Sequence, residues 1–596
     1  MRWLILVLIP LLAAGCAQPS GHKSSQNEKS PTPADAAFKK MADEYIAGYL
    51  AWRPATAVAL GFHEFDGRVT DFSAGSIVAE QARLARFDET FSHFATDQLS
   101  PDAAQEFRIL HAAIRRQLFQ FDDLKSYTRN PMTYASSLGV NIYIKRNFAP
   151  LENRVRSIIS ILDEAPRIFV AARKNLEPRL PRPFIETAIQ VAEGSIDFLE
   201  RDLVKALDDL KDAELKSRFT AANQRAVAEL RSYVQWLKSE RQPAATEDYA
   251  LGAAKFARML ARGELIDLNP ERILELGLSE LKREQENFAN AARIIDPSKP
   301  AIEVYRAIQK DHPTEESLLP DTRRNMEAIR QFLVEHDIVT IPSPVRPRVE
   351  ETPQFDRATS FASMDTPGPF EKVATEAYYY VTPVEHDWPA QQKEEWLTAF
   401  NYYTTDVVSI HEAWPGHYLQ FLCLNASSAS RLRKIFDSYS FVEGWAHYAE
   451  QMMLDSGFGA TMPSQQPQSA ELKSAKYRLA QSGEALLRLC RLCVAIKMHC
   501  HGMNIDEATR FFTSNCYYEE KPSRSEATRG SYDPEYLYYT LGKLQILKLR
   551  RDYERQEGAR YSLKRFHDEL LSHGSPPIRL LREVMLKERS QWEEAF

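Results

Sequence analysis

His411-Glu412-Ala413-Trp414-Pro415-Gly416-His417 places two imidazoles and a carboxylate within seven residues. Those are the groups that a catalytic zinc ion and its general base require: imidazole nitrogens as ligands, and a carboxylate beside them to take a proton from water. The spacing differs from the familiar zinc-protease helix, where the histidines stand four apart on one face. Here they stand six apart. Six residues of regular helix turn through roughly 600° and climb about 9 Å, so the rings would point in different directions. They can share a metal only if the helix is distorted between them. Pro415-Gly416 stands at that place, and Pro and Gly are the residues that break a helical ladder. The segment reads as a zinc helix with two extra residues looped out before its second ligand.

A catalytic zinc commonly takes three protein ligands and a water, so one ligand must come from elsewhere. Phe441-Val442-Glu443-Gly444-Trp445-Ala446-His447-Tyr448-Ala449-Glu450 follows about two dozen residues downstream. Glu443, His447 and Glu450 recur at i, i+4 and i+7 and so share one helical face. They sit among Trp445, Ala446, Tyr448 and Ala449, which suits a buried helix, and buried charges need partners, of which a metal is one. Glu443 is the expected third ligand and His447 the competing one. Glu450 is expected to support a ligand or to bind a substrate amine.

The pattern His-Glu-x-x-Pro-Gly-His followed by Glu-Gly-Trp-Ala-x-Tyr-x-Glu resembles the bacterial "domain of unknown function 885" family, whose members resemble gluzincin-type zinc peptidases. Further segments carry the resemblance: Leu60-Gly61-Phe62-His63-Glu64-Phe65-Asp66, Asn130-Pro131-Met132, residues 149–154, Pro367-Gly368-Pro369-Phe370-Glu371, and Tyr532-Asp533-Pro534 with Leu541-Gly542-Lys543-Leu544. The resemblance implies a mainly α, two-lobed helical enzyme with a deep cleft. It places one zinc ion on His411, His417 and Glu443, with Glu412 as general base. His447 departs from it, since an apolar residue is expected there. The chemistry implied is hydrolysis of a peptide bond in small peptides. Glu412 takes the proton of the attacking water and passes it to the leaving amine. The oxyanion needs a further donor: Tyr539 is the expected group, with Tyr532 and His499 as alternates, although most of the chain's 25 tyrosines must serve packing. Arg524 and Arg529 precede that segment, and a guanidinium there would clamp a peptide C-terminal carboxylate. Glu450 on a free amine would instead mark an aminopeptidase. Another zinc hydrolase, an amidase or esterase, needs the same groups. A non-catalytic envelope binding lipoprotein would have no use for Glu412.

The elements that must position these groups read mostly as helices. Segments near 36–50, 76–97, 101–123, 153–176, 184–207, 211–238 and 271–293 carry apolar residues at three- and four-residue spacing, with charges between them. Arg241-Gln242-Pro243 marks a lobe boundary, giving an N-terminal helical lobe at 35–250 and a catalytic lobe at 251–596. Residues 337–390 are Pro-rich with β-branched and aromatic runs, which predict short strands at 338–341 and 378–381 and a small β-sheet beside the zinc helix. Tyr378–Val381 is the expected edge strand for an extended substrate, with Tyr379 and Tyr380 contacting it.

At 596 residues with a net charge of −7, the chain is a multi-lobed globular protein and no general nucleic-acid binder. Arg2, the apolar run at 3–12 and Ala13-Ala14-Gly15-Cys16 read as a signal peptide (1–15) ending at a lipidation site, Cys16. Residues 16–34 then form a flexible tether. These features predict a lipid-anchored protein on the periplasmic face of the bacterial cell envelope, at the outer membrane. Cys490, Cys493 and Cys500 fall on a helical stripe in an apolar run, which favours buried thiols over a structural metal site.

Overall fold

The computed structural model describes residues 32–353, 357, 361–462 and 468–596. Cys16, the signal segment and almost all of the tether lie outside the described residues. The protein is mainly helical with one small three-stranded sheet among the described residues, and no described helix is long and apolar enough to cross a membrane.

The predicted amphipathic segments form helices, and their joints follow local chemistry. The expected helix over 153–176 is two helices, Leu151–Asp163 and Ala165–Asn175. Pro166, one residue into the second, cannot donate to the ladder and turns the chain. Val155, Ile158, Ile159 and Leu162 of the first form a stripe at helical spacing, buried against Leu230, Tyr233 and Val234 of helix Ala213–Trp236. Near the expected lobe boundary the chain leaves the α-helix through a π-turn, Leu237–Arg241, and a 3₁₀ turn, Gln242–Ala244. The two halves then interlock: Phe119 from the N-terminal half joins the largest core, while Leu432, Phe436 and Leu580 pack with the first helices.

Six helices frame the candidate site: α1 (Pro270–Ile295), α2 (Tyr402–Glu412), α3 (His417–Ala426), α4 (Tyr439–Asp455), α5 (Ala470–Cys500) and α6 (Tyr538–Glu557). α5 runs through the centre of the largest core against α1, and α4 packs along α6. That second contact is backbone against backbone. A Cβ on Gly542 would lie 1.8 Å from the Ser440 carbonyl oxygen, and one on Gly444 only 2.5 Å from Gly542. Only glycines permit this approach, and it brings the start of α6 against the start of α4.

The sheet orders β1 (Arg348–Glu351), β3 (Tyr378–Val381) and β2 (Ala362–Asp365), with β1 parallel and β2 antiparallel to β3. Two expectations are corrected here. Residues 338–341 form no strand; Pro342, Pro344 and Pro347 follow closely and lack the N–H a ladder needs. Tyr378–Val381 is not an edge strand but the central one. Its Tyr379, Tyr380 and Val381 are buried, whereas β2 is half-buried throughout, and the most apolar strand takes the position covered from both sides. Of the two edge strands, β2 is the one that packs against α2.

Two clasps fix this region to the N-terminal half. Phe62 stacks on Phe370 at 4.6 Å, and His63 Nε2 lies 2.8 Å from Glu371. The buried Arg146 donates to the carbonyls of Ala374 and Glu376 and to Asp365 at the end of β2.

Candidate metal centre

Asn401 caps α2 by accepting from the Thr404 amide, and the helix runs regularly until it delivers His411 and Glu412 in its last turn. The chain then widens. The Gly416 amide donates to the Ile410 carbonyl, six residues back, and the Leu419 amide to Ala413. The Trp414–Pro415 peptide is cis, and Trp445 Nε1 of α4 donates to the Pro415 carbonyl, tying the turn to the next helix. α3 begins at His417. The looped-out turn predicted from the spacing is present: the His411 and His417 ring centres lie 4.9 Å apart and the rings are perpendicular.

Glycine is required at 416. A Cβ there would fall 1.7 Å from the His411 carbonyl oxygen and 2.5 Å from that of Ile410.

Glu443 completes the group. Its Oε2 lies 3.4 Å from His411 Nε2 and 3.5 Å from His417 Nε2. Among the described residues these three form the one set of His, Cys, Asp or Glu able to hold a metal, their ligand atoms all within 4.8 Å of one another. Ligand atoms placed tetrahedrally about 2.0–2.1 Å from zinc stand about 3.3–3.5 Å apart, close to the two distances to Glu443. The same Oε2 is buried and meets no donor at hydrogen-bond geometry, a costly arrangement unless a cation satisfies it. The residues present fit a zinc ion.

The surroundings fix the orientation of His411. Glu450, fully buried, accepts from His411 Nδ1 at 2.7 Å through Oε1, which leaves Nε2 to face Glu443. Arg488 donates to the same Oε1 at 3.1 Å, and the other carboxylate oxygen lies 3.1 Å from His447 Nδ1. Burial works against charge on His411, but Glu443 and Glu450 outweigh it and raise its pKa to about 9. Burial likewise opposes ionisation of Glu443 and Glu450. The imidazoles hold Glu443 well below the usual carboxylate range, as Arg488 and the imidazoles do Glu450. The cluster is built to hold positive charge between His411 and Glu443, as a proton or as a metal.

This geometry gives each predicted residue a place. His447 turns toward Glu450, away from the ligand group, and its pKa falls to about 3 through burial and the charge of Lys543. Glu450 has both oxygens committed and is not available to a substrate amine. Glu412 is part-exposed and accepts from the Met364 amide of β2 at 3.2 Å, so the expected base stands between the ligand group and the strand edge. Tyr539, in the first turn of α6, stacks near His411 with ring centres 6.3 Å apart. His499 is occupied elsewhere: Nε2 lies 2.8 Å from the Gly530 carbonyl, and Nδ1 accepts from the Leu251 amide. The alternate Tyr532 packs against Phe184. Arg529 pairs with Asp533, and Arg524 with Asp506 on the exposed surface. Tyr379 is buried and bonds Ser409 of α2, which holds the sheet to the helix, and Tyr380 stacks on Tyr378 within β3. Cys490 and Cys493 are buried free thiols. The sequence reading missed Tyr439, one turn before Glu443 on the same face of α4, with its ring 5.9 Å from that of Tyr539; its i−4 position was the available signal.

Two solved structures share this architecture. One, from Shewanella oneidensis, is described as "a putative lipoprotein of unknown function"; it matches with a TM-score of 0.76 and 22% identity over 92% of this chain and 100% of its own. The other, described as "the putative lipoprotein from Colwellia psychrerythraea", matches with a TM-score of 0.75 and 16% identity over 94% of this chain and 100% of its own. At these identities the likeness is one of fold. No curated protein matches the chain. The family model described as "Bacterial protein of unknown function (DUF885)" matches residues 54–585, and the chain therefore belongs to the DUF885 family.

Proposed function

We propose that the protein is a zinc-dependent peptidase that hydrolyses small peptides in the cell envelope. The observation that carries this reading is the convergence of His411, His417 and Glu443 around a buried carboxylate oxygen without a donor, with Glu412 beside them at the edge of β2. A zinc ion on those three residues would polarise a substrate carbonyl and bring the pKa of a water toward about 7. Glu412 is placed to take that water's proton and return it to the leaving amine. The β2 edge offers backbone groups to an extended peptide. The Tyr539 hydroxyl is the donor for the oxyanion, and burial together with the charge of Glu443 keeps it protonated. Glu450 holds His411 in the tautomer that presents Nε2.

An anchor through lipid on Cys16 belongs to the same reading. It is supported by the description of both fold relatives as lipoproteins and by the Ala-Gly-Cys end of the apolar leader. It would leave the enzyme body in the aqueous periplasm, at the outer membrane.

Metal analysis and digestion of a mixed peptide library by the same preparation test the reading. About one zinc per chain is expected. Glu412→Gln keeps the metal and loses hydrolysis by about a hundredfold or more. Full hydrolysis by the metal-loaded Glu412→Gln protein would overturn the assignment.

A further inference from the structure

Beside the ligand group, donors from four helices converge, and only some of their N–H and O–H groups meet an acceptor. α5 carries Arg488 and Arg491 one turn apart. Helix Glu520–Tyr532 carries Arg529, and Tyr439 and Tyr539 open α4 and α6. The Arg491 guanidinium lies 5.3 Å from the Tyr539 ring centre and that of Arg488 5.8 Å. Arg529 is within electrostatic reach of Arg491, Tyr439 and Tyr539.

The three arginines are not equivalent. Arg488 is spent, giving Nη1 to Glu484 and Nη2 to Glu450. Arg491 and Arg529 are each gripped on one edge only. Glu526 takes Nε and Nη2 of Arg491 at 2.8 Å each, and Asp533 takes Nε and Nη2 of Arg529 at 2.9 Å. No described residue accepts from Nη1 of either, and neither Nη1 is sealed from solvent. The hydroxyls of Tyr439 and Tyr539 are likewise open and unpaired among the described residues. Acid partners on the Nε edge orient a planar guanidinium so that its outer edge points elsewhere, and that edge suits a carboxylate. Among the described residues around these arginines, Glu450, Glu484, Glu526 and Asp533 are each bound to arginine, which leaves them unavailable to the amine end of a peptide.

We infer that this site engages peptides by their C-terminal carboxylate, held by the free edges of Arg491 and Arg529 beside the Tyr439 and Tyr539 hydroxyls. The inference rests on the peptidase reading and makes the enzyme a carboxypeptidase that removes a short C-terminal piece.

The test uses the full chain loaded with zinc and a set of N-acetylated peptides, each as free acid and as C-terminal amide. A parallel set replaces acidic side chains by their amides. Cleavage is read by mass spectrometry, and binding to the Glu412→Gln protein by calorimetry. The free acids should be cleaved with kcat/KM at least about tenfold above the amides and bound at least about tenfold tighter, the effect of one charge-assisted hydrogen bond or more. Arg529→Gln, at a side chain 32% exposed, should bring the acid-to-amide ratio toward one, chiefly through KM, with zinc content unchanged. Arg491→Lys should do the same if it folds. Equal cleavage and binding of acids and amides overturns the clamp, and so does a preference that follows acidic side chains instead. If amides and acids are cleaved alike while Glu412→Gln is dead, the clamp falls and the peptidase stands. If neither is cleaved, the peptidase reading falls, and the binding ratio still decides whether the carboxylate site exists.

Discussion

Replacing Gly416 with alanine tests the turn on which the metal group depends. The added methyl would lie 1.7 Å from the His411 carbonyl oxygen, 2.4 Å from its carbon and 2.5 Å from the Ile410 oxygen. All three are backbone atoms of the helix that carries the first ligand, so no side chain can swing away. Relief to an ordinary contact needs a displacement of roughly 1.3 Å or more between the His411 and His417 segments. Metal–ligand distances tolerate only about 0.2 Å, so the displacement cannot be absorbed at the site. Overpacking of this kind costs about 1–3 kcal/mol. The expected result is a fold weakened by roughly 1–3 kcal/mol and zinc affinity reduced by a hundredfold or more. Thermal unfolding with and without chelator, and zinc content after dialysis against a competing chelator of known affinity, measure both. A Gly416→Ala protein that keeps one zinc with unchanged affinity and unchanged Tm would refute the argument that this turn brings the two imidazoles together.

Glu450→Gln keeps an oxygen for His411 Nδ1 but removes the charge that it shares with Arg488 and His447. Zinc affinity should fall by about 10- to 100-fold; unchanged chelator competition would show that Glu450 does not prepare the ligand. Asp406, fully buried, has its pKa raised to about 7 by burial, against hydrogen bonds from Tyr477 and Asn325. A folded pKa above the unfolded one gives stability that is present below about pH 4 and lost as pH rises through about 7, on the order of 4 kcal/mol by pH 8. Asp406→Asn should therefore gain Tm over the wild type at pH 8 relative to pH 5, and an equal difference at both pH values would contradict this. Gly194 lies inside helix Arg182–Asp197 with open space where a Cβ would go. Gly194→Ala should stabilise by about 0.5–1 kcal/mol without altering zinc content, which makes it a control for the effect at Gly416; a lower Tm would show an unseen constraint there.

Much of this site was legible in the chain itself. The helical class followed from apolar residues at three- and four-residue spacing, because a helix exposes one face whatever it packs against. The pairing of His411 with His417 followed from chemistry and local geometry, while Glu443 and His447 stayed in competition for the third place until the family resemblance favoured Glu443. Six-residue spacing demands a break, Pro415-Gly416 supplies it, and Glu443 heads a helical face too apolar to leave a charge unpartnered. These are short-range consequences of sequence. What the sequence left open depends on contacts between distant segments. Tyr378–Val381 has the composition of a strand, but which strand stands at the edge is decided by how deeply each strand is covered. Glu450 and His447 look alike as candidates on one helix face; Arg488, on another helix, commits the first to His411 and leaves the second facing inward. His499 looked available until the Leu251 amide and the Gly530 carbonyl took its two nitrogens. Arg491 and Arg529 stand 38 positions apart in the chain and could not have been paired from it. A side chain's type and its place on a helix are local properties. The partner that uses up its hydrogen-bonding groups is set by tertiary packing, and only that packing separated the residues that hold the structure from those left free to meet a substrate.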